Sequence, residues 1–547
     1  MSYIVLFLLV PVCADASSFL DRKASQQIET KNGSITGRVL QADYTLQQPR
    51  YQNVIEFLGI PYAAPPIGDL RFRAPRPFNE SWSHPRSMVN RGLFCEKHED
   101  CLYLDVYTPE KAPGFLSLPV LFWIHGGGFM GFHFPQGDGV ALSAAHDLVV
   151  VIAHYCLGHL AFFASDASLS EEGSTGNWGT LDQRAALLWV KENIANFGGD
   201  PGRVTIAGES AGAFSVLWHL VAPGSAGLYH AAILESTTVI SPIFYQAKKD
   251  AYRYYEWVAT QLAGCKDAQD LQCLRKVDFN ELQLNSSWQS NGKMKKKFGP
   301  PWASVMFPKY PVGPVIDGVT LRDSPLNVVK KGGHSKVPII LGVNHDEGTG
   351  FIYEVPQYIQ GASHTPTETI EKKLMAYLLG EAAVKAGILE MYPDSEYHSW
   401  TNRAAIFSKA SRILRDSAFH CSTLRLAEAL IKWDDRVYMY TWNFEGLFGI
   451  LDYLPIIPFT GVDLDRMGFF HSAELPFVLK YFPQRPELSM YIYAGHPPRE
   501  KNDDFHRLSD CASCMWANMV TFHSPVGGNA SCESHVKLES KSYVKIE

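Results

Sequence analysis

The residues Gly208-Glu209-Ser210-Ala211-Gly212 decide the expected fold of this chain. They follow a short apolar run at residues 204–207 and precede a longer, helix-like apolar run at residues 213–221. A strand, a Gly-x-Ser-x-Gly turn and a helix in that order form the context of a nucleophile elbow, in which a tight turn exposes a serine hydroxyl. The helix points the positive end of its dipole at that serine. We therefore predict that Ser210 is a nucleophile.

Other apolar runs predict the architecture around this turn. Residues 119–124 and 148–153 are nearly continuous apolar runs, which suit central strands buried on both faces. Residues 180–196 have helical periodicity, and further strands are predicted at residues 102–107, 231–234, 337–343 and 436–442. Strands that alternate with helices predict an α/β sheet covered on both faces. We expect one domain over residues 17–547, with residues 245–310 and 355–430 as insertions above the sheet.

Length and charge fit a large globular domain and argue against several partners. The chain has 547 residues, of which 46% are hydrophobic, so it can bury a large core. Its net charge is -7, and its one basic run, residues 293–297, lies in a polar stretch typical of a solvated loop. We therefore expect no nucleic-acid partner. Beyond the N-terminus, no uncharged run is long enough to predict a transmembrane helix.

The N-terminal residues are typical of a secretory signal peptide. An apolar run from Ile4 to Val12 precedes the small residues Ala14 and Ala16, which predicts cleavage after Ala16 and removal of residues 1–16. We therefore expect a secreted, extracellular protein. In that compartment the sequons are candidate glycosylation sites, namely Asn32, Asn79, Asn285 and Asn529.

The cysteines agree with an oxidising compartment. Cys95 and Cys101, like Cys265 and Cys273, lie close in sequence in polar surroundings and predict two small-loop disulfides. Outside the signal peptide nine cysteines remain, so at least one thiol is unpaired, and Cys156 is the candidate. The pairing of the others stays open, namely Cys421, Cys511, Cys514 and Cys532. No two cysteine pairs have matched zinc-finger spacing, so we expect no metal site.

Three glycines in a row predict an anion-binding loop. His125-Gly126-Gly127-Gly128 follows a buried strand, and a glycine backbone can direct N–H groups at a ligand. Upstream of a nucleophile elbow this arrangement is typical of an oxyanion loop, to which the N–H of Ala211 would add a further donor.

A serine nucleophile also needs a base and an acid that orients the base. In folds built around a nucleophile elbow, the acid follows the serine in sequence and the histidine comes last. Glu347 follows the strand predicted at residues 337–343, at the sheet edge where the acid belongs, and His471 lies in an apolar segment. Position alone does not separate these two residues from their rivals, namely Asp346, His420 and His506.

Motifs in the same order resemble those of type-B carboxylesterases, the family of carboxylesterases and cholinesterases. The matching stretches are Gly59–Ala63, Glu99–Leu104, His125–Phe129, Gly176–Gln183, Phe197–Ala213, Asn344–Gly348 and His471–Glu474. The resemblance covers roughly residues 30 to 525. It implies an α/β-hydrolase fold with a large mixed, mostly parallel central sheet and helices on both faces.

The resemblance also implies a function and a set of site residues. It implies a serine esterase that hydrolyses small carboxylic esters through an acyl-enzyme and needs no cofactor. In this reading Ser210 is the nucleophile, Glu347 the orienting acid and His471 the base. The oxyanion donors are the backbone N–H groups of Gly127, Gly128 and Ala211.

The chain departs from the family pattern at two places. Cys156 stands where the family usually has an arginine that pairs with the aspartate matching Asp182. Asp182 therefore needs another partner, for which His154 and His159 are candidates, or it stays unpaired at a cost. The segment between Cys95 and Cys101 is short and lacks the tryptophan that binds choline in cholinesterases, which argues against a choline-ester specialist.

Two alternatives to a general esterase remain. One is a lipase-like or cholinesterase-like specificity, because the sequence leaves the acyl and alcohol groups of the substrate open. The other is a non-catalytic adhesion-type protein, since some relatives have lost the serine and act through their surface. Those relatives usually carry a membrane helix, whereas this chain has all three triad residues. The oligomeric state is also open.

Overall fold

A computed structural model describes most of the chain. It covers residues 27–41, 53–110, 117–130, 138–239, 245–282, 312–353, 367–379, 381–396, 402–433, 436–443, 470–480, 503–526, 536–540 and 543–546. The expected signal peptide lies outside these residues, as do Asn285, Asn529, Cys532 and the side chain of His506.

Sixteen strands are found in the described residues. They are β1 (Ile28–Thr30), β2 (Gly33–Thr36), β3 (Arg38–Gln41), β4 (Asn53–Pro61), β5 (Arg86–Ser87), β6 (Tyr103–Pro109), β7 (Leu118–Ile124), β8 (Val149–Ala153), β9 (Gly199–Glu209), β10 (Ala231–Glu235), β11 (Gln246–Ala247), β12 (Val315–Ile316), β13 (Ile339–Asn344), β14 (Val437–Trp442), β15 (Val536–Ser540) and β16 (Tyr543–Ile546).

Helices connect and cover these strands. The α-helices are Val140–Ala145, Gly158–Phe162, Asp166–Glu172, Trp178–Asn193, Ala211–Val221, Lys248–Trp257, Leu271–Leu274, Phe279–Leu282, Pro325–Lys330, Gly348–Tyr353, Thr367–Leu379, Glu381–Lys385, Asn402–Leu414, Cys421–Ile431, Leu475–Val478 and Asp503–Phe522. Two further segments, Val258–Leu262 and Arg415–His420, are π-helical. Within the described residues, no helix is both long enough and apolar enough to span a bilayer.

The central sheet has eleven strands in the order β15-β16-β14-β13-β10-β9-β7-β8-β6-β4-β3. The strands from β16 through β8 pair in parallel, whereas both ends of the sheet are antiparallel. The predicted mixed, mostly parallel α/β sheet is therefore confirmed. The edge strands β15 and β16 were not predicted from the sequence.

The sheet divides the core into two layers because strand side chains alternate between faces. On β7, Phe122 packs into one buried cluster, and Trp123 packs into the cluster on the opposite face. The predicted run at residues 119–124 is thus a strand buried on both faces, as its continuous apolar character indicated.

The register of the central strands brings their carboxyl ends together. Ile124 on β7 lies opposite Gly208 on β9, and Glu209 lies opposite Glu235 on β10. Glu235 in turn lies opposite Gly342 on β13. The residues that follow these strands therefore meet at one sheet edge, which is where open α/β sheets bind their ligands.

The cysteines and the sequons are partly described. Cys95 is bonded to Cys101 and Cys265 to Cys273, as the spacing predicts. Cys514 is also disulfide-bonded, whereas three thiols are free, namely Cys156, Cys421 and Cys511.

The side-chain amide of Asn32 already forms two hydrogen bonds. Its Nδ2 donates to the carbonyl oxygens of Phe78 and Glu80, both at 2.9 Å. A glycan on Nδ2 would remove at least one of these bonds. The side chain of Asn79, in contrast, is exposed.

Candidate active site

Ser210 occupies a strained turn between β9 and the helix Ala211–Val221. Its backbone has φ 57 and ψ -121, and its own N–H donates to the carbonyl oxygen of Glu235 at 2.9 Å. A non-glycine residue at positive φ is costly and persists only where the surroundings impose it. This is the conformation expected for a nucleophile elbow.

The flanking glycines are required by close backbone contacts. A Cβ added to Gly208 would lie 2.6 Å from the carbonyl carbon of Gly212. A Cβ on Gly212 would lie 2.0 Å from the carbonyl oxygen of Ile124. Both distances are shorter than real Cβ contacts, so a side chain at either position would force the strand and the helix apart.

The glycine loop after β7 reaches the same turn. Gly127 and Gly128 have φ 102 and 60, a left-handed backbone that glycine adopts without strain. Among the described residues, none accepts a hydrogen bond from the backbone N–H of Gly127, Gly128 or Ala211. The loop and the start of the helix therefore bring three uncommitted donors near the serine, as an oxyanion site requires.

Gly126 explains how the loop approaches the nucleophile. A Cβ at this position would lie 2.8 Å from Glu209 Oε2 and 3.2 Å from the Cβ of Ser210. The first of the three glycines thus lets the loop pack directly against the Glu209 carboxylate and the nucleophile.

His471 and Glu347 form a hydrogen-bonded pair. His471 Nδ1 lies 2.6 Å from Glu347 Oε2. The other carboxylate oxygen of Glu347 accepts bonds from the hydroxyl of Ser236 and from the backbone N–H of Asn344. Glu347 is fully buried, so this set of donors fixes the acid and, through it, the imidazole.

The second ring nitrogen of His471 faces an acid that the sequence did not assign to the site. His471 Nε2 lies 3.1 Å from Glu209 Oε1. Within the described residues it forms no hydrogen bond, so the link to the Ser210 hydroxyl is not made in this state. Catalytic hydrogen bonds are often long or misaligned until substrate binds, and Glu209, which faces Nε2, directly precedes Ser210 in the chain.

Several buried carboxylates determine the charge around the imidazole of His471. Burial alone would lower the pKa of His471, but the nearby carboxylates of Glu209, Glu347 and Glu474 raise it to about 9. Burial, together with the charges of Glu209 and Glu347, raises the pKa of Glu474 to about 8. The site therefore favours a protonated imidazole, which is the state that forms after proton transfer from a nucleophile.

Glu235 is a further buried acid close to these carboxylates. It is fully buried, and Trp516 Nε1 donates to its Oε1 at 2.8 Å. Burial and then the charge of Glu474 raise the pKa of Glu235 well above its ordinary value. Burial and the neighbouring charge therefore favour the neutral form of Glu235.

Two phenylalanines enclose the imidazole. The rings of Phe351 and Phe419 lie 4.9 and 5.0 Å from the ring of His471, and they stack on each other at 5.9 Å. Phe419 belongs to the π-helical segment Arg415–His420, and such segments are frequent at functional sites. No periodic pattern in the sequence predicts this contact.

The two rival candidates with described side chains, Asp346 and His420, contact other residues. Asp346 contacts His345, with Oδ1 2.9 Å from Nδ1. His420 Nδ1 lies 4.0 Å from Asp416 Oδ1. Of the acids and histidines that the sequence left open, the described residues bring Glu347 and His471 together.

Asp182, the acid left without its usual arginine, has an unusual environment. Its Oδ2 accepts the backbone N–H of Cys156 at 3.2 Å, and the thiol of Cys156 also bonds to it. Burial raises the pKa of Asp182 to about 7, and among the described residues no cation lies close enough to lower it.

The two histidines considered as partners of Asp182 are engaged elsewhere. His154 Nε2 lies 3.8 Å from Asp105 Oδ2. His159 is hydrogen-bonded to the Leu282 carbonyl and the Tyr254 hydroxyl. Both suggestions were therefore wrong, because neither ring turns toward Asp182.

Comparisons with known proteins identify the family of the chain. The Carboxylesterase family model matches residues 24–547. The chain is 37% identical to liver carboxylesterase 1 of Oryctolagus cuniculus over 367 residues, which is 61% of this chain and 60% of that protein. It is 33% identical to pyrethroid hydrolase Ces2e of Rattus norvegicus over 454 residues, covering 78% of this chain and 72% of that one. The alignment thus spans less than two thirds of the length of the liver enzyme.

A solved structure has a similar fold over nearly the whole chain. The Geobacillus stearothermophilus carboxylesterase EST55 at pH 6.2 superposes with a TM-score of 0.70 and 27% sequence identity. The superposition covers 95% of this chain and 93% of that one.

Proposed function

Because the chain belongs to the carboxylesterase family, we propose that it is a serine esterase that uses Ser210, His471 and Glu347 to hydrolyse carboxylic esters. The observation that supports this triad best is the 2.6 Å contact between His471 Nδ1 and Glu347 Oε2, at the sheet edge where Ser210 follows β9. Fold alone would not be enough, since one fold hosts many activities.

The first half of the proposed reaction acylates the serine. His471 Nε2 takes the proton of the Ser210 hydroxyl while Oγ attacks the ester carbonyl. Glu347 holds Nδ1 and stabilises the imidazolium that forms. The carbonyl oxygen becomes an oxyanion and is bound by the N–H groups of Gly127, Gly128 and Ala211. When the tetrahedral intermediate collapses, the C–O bond breaks and the alcohol leaves with the proton from Nε2.

The second half releases the acid. Water attacks the acyl-enzyme as His471 Nε2 removes its proton, and a second oxyanion forms in the same set of donors. Collapse breaks the bond between the carbonyl carbon and Ser210 Oγ, and the serine regains its proton from the imidazolium. This chemistry can proceed with side chains, backbone donors and water.

The first test removes the nucleophile. We expect Ser210→Ala to lower turnover of p-nitrophenyl acetate by roughly a million-fold, because the reaction loses its covalent step. Ser174→Ala is the matched control, since Ser174 Oγ also donates to a buried carboxylate, Asp317, at 2.9 Å in another region. Full turnover by Ser210→Ala would refute the proposal, as would an inactive wild-type protein with the expected circular dichroism spectrum.

The substrate class is best found with an ester panel. The panel should combine acyl chains from two to sixteen carbons with aryl, choline and glycerol alcohols. We expect preference for short aryl or alkyl esters over choline esters. Preference for emulsified long-chain glycerides would instead assign a lipase, and preference for choline esters a cholinesterase-like enzyme.

We also propose that the chain is exported after loss of residues 1–16 and glycosylated at Asn79. The two small-loop disulfides support an oxidising compartment. Expression in a secreting eukaryotic cell should give a mature N-terminus at residue 17. Asn79→Gln should reduce the mass of the secreted protein by one glycan, whereas Asn32→Gln should not, because the amide of Asn32 is bonded to two carbonyls. Retention of the protein inside the cell would contradict export.

A further inference from the structure

Three serines of the site share an uncommon backbone conformation. Ser210, Ser236 and Ser472 have φ 57, 56 and 72, in the left-handed region that non-glycine residues seldom occupy. They come from three separate segments of the chain, after β9, after β10 and directly after His471. Strain of this kind persists where the surrounding structure imposes it, and it is concentrated at functional sites.

Two of these serines bind the carboxylates that flank the imidazole. Ser236 Oγ donates to Glu347 Oε1, and Glu347 Oε2 lies at Nδ1 of His471. Ser472 Oγ donates to Glu209 Oε1 at 2.6 Å, and that same oxygen lies 3.1 Å from Nε2 of His471. Each ring nitrogen thus faces an acid that is held by a strained serine.

We propose that Ser472 is a positioning residue that keeps the ionised Glu209 carboxylate beside His471 Nε2. This inference depends on the proposed role of His471 as the base for Ser210. When the proton moves from Ser210 Oγ to Nε2, the imidazole becomes positively charged. An anion fixed next to Nε2 stabilises that charge without itself taking up the proton.

The hydroxyl of Ser472 is suited to this task for two reasons. Glu209 is only 1% exposed, and burial favours the neutral form of a carboxyl group. A hydrogen bond donated to a carboxylate opposes that effect and stabilises the charged form. The bond also occupies a lone pair of Oε1, which makes this oxygen a weaker competitor for the proton held by His471.

The second oxygen of the Glu209 carboxylate lies beside the glycine loop. A Cβ added to Gly126 would lie 2.8 Å from this oxygen, Oε2. Other ionisable groups around the imidazole are Glu347, Glu474, Glu235, His420 and Tyr440. The hydroxyl bond to Glu209 Oε1 comes from Ser472, so removal of Ser472 Oγ removes this bond.

The test compares two substitutions at this position. Ser472→Ala removes the hydroxyl and keeps the strained Cβ, whereas Ser472→Gly removes the hydroxyl and relieves the strain. For both variants we expect kcat/KM at its high-pH plateau to fall about tenfold, since a hydrogen bond to a charged group is lost. The acidic limb of the kcat/KM profile, which reports the pKa of His471, should shift to lower pH. Ser174→Ala should change neither quantity.

A double-mutant cycle separates positioning from a structural role. If Ser472 acts through Glu209, the variant carrying both Ser472→Ala and Glu209→Gln should have the same kcat/KM and pH profile as Glu209→Gln alone. Thermal denaturation of each variant shows whether the fold is retained, and Ser472→Gly should not lower Tm.

Additive losses would contradict the inference, as would wild-type kcat/KM and pH profiles for Ser472→Ala and Ser472→Gly. These results differ from a failure of the proposed function. In that case the wild-type protein would not turn over esters, or Ser210→Ala would retain activity.

Discussion

Two buried acids of the molecule, Glu347 and Asp182, have different hydrogen-bond partners. Glu347 accepts bonds from Ser236, Asn344 and His471, and the last of these can carry a positive charge. Among the described residues, Asp182 accepts bonds from the backbone N–H and the thiol of Cys156. Both carboxyl groups are withdrawn from water. One therefore has an imidazole to balance its charge, whereas the other has neutral donors.

The difference shows how the surroundings of a buried acid determine its role. An acid held by several donors and a titratable base can stay ionised and stabilise a positive charge during reaction. An acid with neutral donors pays for burial by binding a proton near neutral pH, since its pKa is about 7. The first arrangement suits an acid that orients a catalytic base, and the second makes stability depend on pH.

Removing the charge of Glu347 should have the largest effect on the first arrangement. Glu347→Gln keeps the size of the side chain but offers no anion to His471. We expect kcat/KM for p-nitrophenyl acetate to fall by about 1,000-fold or more, as when the acid of a related triad becomes an amide. Stopped-flow and steady-state assays measure the loss, and thermal denaturation checks the fold. Activity within tenfold of wild type would exclude Glu347 as the orienting acid.

Removing the charge of Asp182 should stabilise the protein. The folded-state pKa of about 7 lies above the ordinary value of 3.8, so the native state retains a proton that the unfolded chain releases. The stability conferred by that proton is complete below about pH 4 and is lost as pH rises to about 7. Asp182→Asn removes this loss, so it should gain about 4 kcal/mol over wild type at pH 8.

Denaturant unfolding at pH 4 to 8 measures this effect. The difference between Asp182→Asn and wild type should be small at pH 4, grow up to pH 7 and then stay constant. Asp317→Asn is a suitable comparison, because Asp317 is also buried but accepts bonds from Ser174 and from backbone N–H groups. That variant should lose stability. A loss of stability for Asp182→Asn at pH 8 would mean that its carboxylate has a cationic partner.

The charge of Glu209 should appear in the pH dependence of activity. The base form of His471 is neutral, so kcat/KM should rise with pH toward a plateau above about pH 9. Glu209→Gln removes one of the charges that raise the pKa of His471. The midpoint of the rise should therefore move to lower pH by about one unit, while the plateau falls. An unchanged midpoint would show that Glu209 does not act on the imidazole.

Of these changes, removal of the Cys156 thiol should have the smallest effect. Its bond to Asp182 opposes the effect of burial on the pKa of that acid. Cys156→Ala removes the thiol bond and leaves the backbone N–H bond in place. We expect a loss of about 1 kcal/mol at pH 8, the usual value of one hydrogen bond, and a smaller loss at pH 5. Equal losses at both pH values would point to packing as the cause.

Local patterns in the sequence predicted the elements that form the site. The apolar run at residues 119–124 predicted β7, and the turn at Ser210 predicted the junction of β9 with its helix. These predictions succeeded because burial on both faces and a forced glycine each leave a direct mark on the sequence. Glu347 and His471 were named from motif order and position, and the fold brings them to hydrogen-bonding distance.

Contacts between distant segments could not be predicted in this way. Glu209 lies in the most informative motif of the chain, yet its position at His471 Nε2 depends on a loop 262 residues further along the sequence. Phe419 reaches the imidazole through a π-helical turn, for which no sequence pattern was used. The suggested partners of Asp182 were wrong because His154 lies beside Asp105 and His159 is hydrogen-bonded to the Leu282 carbonyl.

The most direct measurement of the central claim is to map the residue that a fluorophosphonate modifies. Phosphonylation forms a bond between phosphorus and an activated serine Oγ with loss of fluoride, so it reports nucleophilicity without a choice of ester substrate. We predict one adduct per chain, located on Ser210 by peptide mass spectrometry, and at least 100-fold slower labelling of Glu347→Gln. An adduct on another residue, or equal labelling of Ser210→Ala, would contradict the account.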